Sequence, residues 1–153
     1  MLLDQLKKSS VYIRPLFVIL LCMLILIFSR TLSYIPNFTP TLSLIIFLSF
    51  LIRDKYLAVF IVITSILVTD FILGFYSSMI FVYSAYIIVC LISYFFLNHR
   101  NLKNVIKLSI SSELLFYLIT NFGVWMMTNT YTSDIHGLYQ SYIAAIPFLK
   151  LSL

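Results

Sequence analysis

Residues 56–75 read YLAVFIVITSILVTDFILGF, and this one stretch decides the fold class. Twenty helical residues at ~1.5 Å each span ~30 Å, the thickness of a bilayer's hydrocarbon core. Asp70 is the single ionisable group in it. The run is too long and too uniformly apolar for a barrel strand, and the alternation of a half-buried strand is missing. Working outward, stretches of similar character cover 11–29, 78–97 and 105–127, with shorter ones at 38–52 and 138–153. The spacing predicts an all-α integral membrane protein, a six-transmembrane-helix bundle forming one domain over residues 1–153.

Composition excludes the other classes. Of 153 residues, 62% are hydrophobic and 10% charged, and the mean hydropathy is +1.07. Soluble domains run ~45–50% apolar and ~25% charged, and disorder needs the opposite bias. Two cysteines exclude a disulfide framework or a cysteine-based zinc module. Cys22 and Cys90 fall mid-span in different helices, where buried, inert thiols are expected.

The formal charge of +5 is an orientation signal. With six spans, Lys7, Lys8, Arg14, Arg53, Lys55, Arg100, Lys103, Lys107 and Lys150 all fall on one side, and of the ten basic residues only Arg30 falls on the other. Cytoplasmic segments carry such an excess, so both termini are expected inside an inner membrane. The basic residues sit in short juxtamembrane clusters without interleaved aromatics, which argues against a nucleic-acid partner. The first span lacks a small-x-small cleavage site and is expected to be an uncleaved anchor.

Inside hydrocarbon an ionisable group is costly and therefore a functional candidate. Asp70 lies ~21 Å across the core and Asn121 ~24 Å, both in the outer half. Trp125 follows one turn beyond Asn121, Tyr139 and Tyr142 open the sixth helix, and Arg30 closes the first on the same side. The connection Ile35-Pro36-Asn37-Phe38-Thr39-Pro40 adds Asn37 or Thr39 as a cap for the second helix, with Pro40 expected in its first turn. Asp70 has two readings, a ligand contact or a charge partner of Arg30. On the fifth helix Ser109, Glu113, Tyr117, Thr120 and Asn121 share one face, expected to look into the bundle, with Leu115 and Leu118 turned to lipid. Glu113 lies nearer the cytoplasmic end, where an ion pair with Arg14 or Lys107 is expected, the alternative being a proton carrier.

Catalytic constellations are poor. His99 and His136 fall on opposite sides of the membrane, and no serine can be placed with a histidine inside it. A glycine-rich phosphate loop and a nucleophile elbow are both missing. The expectation is a non-enzymatic protein without metal or cofactor.

The segments Pro36-Asn37-Phe38-Thr39-Pro40, Asp70 with Gly74, Asn121-Phe122-Gly123-Val124-Trp125 and Tyr142-Ile143-Ala144-Ala145-Ile146-Pro147-Phe148 resemble a family of small uncharacterised bacterial inner-membrane proteins. More distantly, the chain is similar to the substrate-binding S components of energy-coupling-factor (ECF) transporters. That resemblance implies a small-molecule solute bound from the outer side, with partner transmembrane and ATPase subunits supplying the energy. Arg30, Asn37, Thr39, Asp70, Asn121, Trp125, Tyr139 and Tyr142 would then be the ligand-binding set. The first span departs from that pattern, because 11–29 contains no Ala or Gly for a small-residue docking stripe. The alternative is a scaffold or assembly protein of the cell envelope, or an accessory subunit of a larger membrane complex.

Overall fold

The structure is a computed structural model that describes residues 2–31, 40–52, 54–96 and 102–152, with side chains over 16–31, 40–52, 54–96 and 103–147. Among the described residues there are six helices and no strand: α1 (Leu2–Thr31), α2 (Thr41–Leu51), α3 (Lys55–Leu73), α4 (Met79–Phe96), α5 (Leu102–Met127) and α6 (Ile135–Ser152). Lys55–Leu73, Met79–Phe96 and Lys103–Met127 are long and apolar enough to cross a membrane. The 11 residues of α2 span only ~17 Å, about half of a bilayer core.

Local chemistry sets the ends. Asp54 caps α3, its Oδ1 accepting from the Tyr56 and Leu57 amides at 2.8 and 3.1 Å. Gly74 ends α3 at φ +98°, and its N–H donates to the Asp70 carbonyl at 2.8 Å. That conformation favours glycine, which lets the chain reverse over five residues into α4. α2 starts at Thr41, with Pro40 as N-cap rather than in the first turn. Its φ of −72° suits the fixed proline ring, and its carbonyl accepts from Leu44 N–H at 2.8 Å. Asn37 and Thr39, the expected caps, lie outside the described residues.

The core joins Leu26 of α1, Ile45 and Leu48 of α2, Val62 and Ile66 of α3 and Val89 of α4, all fully buried, with Leu108 of α5 beside them. α1 packs on α2 and α3, α4 on α2, α3 and α5, and α6 on α5 alone among the described helices. All six helices turn large apolar side chains outward, Phe71 and Phe60 among the most exposed. The inside is enriched in small hydroxyls instead. Ser49, Ser65, Thr69, Ser93 and Ser141 are buried and donate to carbonyls of their own helices at 2.6–2.8 Å. Such residues let helix backbones approach closely while satisfying themselves locally. So large an apolar exterior, with three helices long and apolar enough to cross a membrane, is consistent with a membrane bundle.

α5 faces the core differently from its expected orientation. Leu108 and Ser112 are buried, and Leu115 and Phe116 pack against the core, so Leu115 points inward and not to lipid. The polar stripe lies roughly a third of a turn away and borders α6. Close approach to α4 explains the choice. A Cβ on Gly123 would sit 2.5 Å from Cβ and Cγ of Phe81, so this face is the one that admits a neighbouring helix. Leu118 remains exposed, as expected.

Candidate functional site

The α3–α4 hairpin builds the main polar constellation. With the turn centred near residue 76, residue 70 stands level with residues 82–83. Asp70, in the last turn of α3 and 1% exposed, thereby meets Tyr83 of α4, whose hydroxyl donates to Oδ2 at 2.8 Å. α1 packs on α3 and brings Arg30, in its last turn, to the other carboxylate oxygen. Arg30 Nη2 donates to Asp70 Oδ1 at 2.5 Å, and Nη1 donates to Tyr86 Oη at 3.2 Å. Three helices are thus joined through side chains alone.

The electrostatics explain the grouping. A carboxylate at the C-terminal end of α3 faces the negative pole of the helix dipole and is removed from water, two costs in the same direction. The guanidinium offsets both, and it sits favourably at the C-terminal end of its own helix. The short Arg30–Asp70 contact and the Tyr83 hydroxyl are charge-assisted hydrogen bonds of the stronger kind. Tyr76, in the turn, lies close enough to feel both charges. Burial first, and the Asp70 carboxylate second, raise its hydroxyl above the ordinary phenol value, so it stays neutral. Tyr86 is buried and leans on Phe116 of α5, ring centroids 4.9 Å apart. Arg30 Nε is buried and finds no acceptor among the described residues.

The remaining candidates lie on α5 and α6 and behave differently. Asn121 Nδ2 donates to the Tyr117 carbonyl of its own helix at 2.8 Å. Tyr142 Oη donates to the Leu118 carbonyl at 2.9 Å, and Tyr117 Oη reciprocates to the Tyr142 carbonyl at 2.6 Å. These two bonds clip α6 to α5. Trp125 Nε1 donates to the Thr132 carbonyl at 2.9 Å and packs on Phe122. Tyr139 is 63% exposed. Arg30 and Asp70 are therefore brought together, the α5–α6 residues form a second group, and Asn37 and Thr39 fall outside the described residues. Glu113 is half-buried and engaged, while the Arg14 side chain lies outside the described set.

Tyr83 and Tyr86 belong to the constellation and were not among the expected site residues. The signal that finds them is the hairpin register across the Gly74 turn, together with their i, i+3 spacing on an otherwise apolar helix. An open apolar groove of about 530 Å³ runs along α1, lined by Leu21, Leu24, Ile25, Phe28 and Ser29, and holds none of the site residues. No three His, Cys, Asp or Glu side chains gather among the described residues.

No curated protein and no solved structure matches the chain. Residues 11–153 match a family of unknown function, DUF6580, from within the first helix to the last residue. The chain therefore belongs to the DUF6580 family.

Proposed function

We propose that this protein is a multi-pass inner-membrane protein, both termini cytoplasmic, that binds a small solute from the outer side at the Arg30–Asp70–Tyr83–Tyr86 constellation. The observation that carries the reading is a charged pair held at the ends of two apolar helices with two buried or half-buried tyrosines around it. Charges in such positions are retained at a cost and mark solute or ion pathways. The Lys and Arg distribution supports this orientation, in which the ends of α1 and α3 face the outer side. A role as a substrate-binding subunit, S-component-like and dependent on transmembrane and ATPase partners for energy, rests on the sequence resemblance. The chain does its work without catalysis in this reading.

Thermal unfolding of the purified protein against a panel of vitamins and metal ions tests it. A stabilising solute whose effect is lost in Asp70→Asn supports the site, and a stabilising solute indifferent to that substitution refutes it. A second reading, a scaffold or assembly subunit of the envelope, is favoured by one observation: the α5–α6 candidates spend their polar atoms on backbone carbonyls. Asn121→Cys separates the two, since labelling by an impermeant thiol reagent from outside requires a hydrated cavity and protection indicates packed helices.

A further inference from the structure

The unspent hydrogen-bonding capacity of the constellation identifies what it would take, given the binding role proposed for it. Arg30 offers five N–H donors; one is used on Asp70 Oδ1, one on Tyr86 Oη, and the Tyr76 hydroxyl lies within reach of another. The Nε–H is buried and donates to nothing among the described residues. Tyr86 Oη accepts from Arg30, and among the described residues no acceptor takes its own proton. Both Asp70 oxygens, by contrast, already accept, one from Arg30 and one from Tyr83. The free capacity is thus on the donor side. A buried, unspent N–H is expensive and is expected to meet an acceptor in the working state.

Charge decides between acceptors. Arg30 and Asp70 cancel, and the tyrosines around them are neutral phenols. An anion entering here would leave one net negative charge in a low-dielectric site, and a cation would meet donors that repel it. An uncharged carbonyl oxygen satisfies the free donors without disturbing the balance. Beside the sealed Asp70, 13% of the Arg30 side chain and 38% of Tyr76 stay exposed, while Arg30 Nε and Tyr86 are themselves buried. We infer that the site recognises an uncharged solute through a carbonyl-type oxygen directed at Arg30 Nε–H and the Tyr86 hydroxyl.

Three probes of one shape test this: benzamide, benzoate and benzylamine carry a neutral carbonyl, a carboxylate and an ammonium on the same ring. Equilibrium binding to the purified full chain in detergent micelles is measured up to the solubility of each. Benzamide is expected to bind about tenfold or more tighter than either charged analogue, the discrimination typical of one satisfied hydrogen bond to a charged donor. Arg30→Lys keeps the charge but removes Nε–H, and Tyr86→Phe removes the hydroxyl; each is expected to erase the preference. Tighter binding of benzoate or benzylamine overturns the inference, as does undiminished benzamide preference in both variants, or no binding of any probe. The wild-type comparison holds even where a variant fails to fold. An ionic solute that stabilises the protein in an Asp70-dependent way would keep the binding role and sink only the carbonyl assignment.

Discussion

The C-terminal ends of α1 and α3, with the start of α4, and the C-terminal end of α5 with the start of α6 both gather polar and aromatic residues, yet they use them in opposite ways. Around Asp70 the hydrogen bonds run from side chain to side chain across three helices. Around Asn121 they run from side chain to backbone, within a helix or between neighbours. The first arrangement leaves a charge pair whose members depend on each other and the buried Arg30 Nε–H without an acceptor among the described residues. The second leaves no buried side-chain polar atom without a partner among the described residues, and it fixes α6, which has no described neighbour but α5. A polar residue in an apolar helix is a candidate; where its hydrogen bonds end separates the two groups.

The largest test of this contrast removes one charge. Asp70→Ala strands a buried guanidinium and is expected to cost ~3–5 kcal/mol, whereas removing both members with Arg30→Met and Asp70→Ala together should cost less than the single change. Reversible unfolding in mixed micelles gives both numbers. A loss in the double variant equal to the sum of the Asp70→Ala and Arg30→Met single losses would mean that the pair is not coupled and that the contrast is misplaced.

A smaller effect compares two tyrosines. Tyr83→Phe deletes a donor to a carboxylate and is expected to cost ~1.5–3 kcal/mol, because Asp70 Oδ2 is left without it. Tyr142→Phe deletes a bond to the Leu118 carbonyl, a group already inside a helix, and should cost only ~0.5–1.5 kcal/mol. Unfolding measured on the two variants in parallel orders them. Equal losses would show that the α5–α6 clasp is as tightly coupled as the charged network.

How much of this was legible in the sequence follows from the range of each interaction. The helices were readable because long apolar runs are local signals. Arg30 and Asp70 were readable because charges are scarce in apolar runs and stand out singly. Tyr83 and Tyr86 were not, since tyrosine is common near helix ends and only the hairpin register sets these two against Asp70. The face of α5 was misread for a related reason. Hydrophobicity predicts burial in water, but here both sides are apolar, and the buried face is selected by the smallness of Ser112 and Gly123.

The smallest effect lies outside the spans, where the α5–α6 connection is clasped by a single carboxylate. Asp134 Oδ1 accepts from Thr132 Oγ1 at 2.6 Å and from the Gly137 amide at 2.8 Å, capping the first turn of α6. Space confirms how closely this loop folds back, since a Cβ on Gly137 would collide with the Thr132 backbone. The Thr132 hydroxyl first, then the Gly137 amide, hold the carboxyl below the ordinary aspartate value, with neighbouring His136 adding in the same direction. A depressed value in the folded state means that the clasp's contribution is complete above the unfolded value of about 3.9 and is lost as pH falls through the folded one. Asp134→Asn keeps a side-chain oxygen for the cap but removes the titration. The gap in melting temperature between wild type and Asp134→Asn should therefore be small at neutral pH and close below the ordinary aspartate range. A gap that instead widened with acidification would place the charge outside the clasp and leave α6 held by Tyr117 and Tyr142 alone.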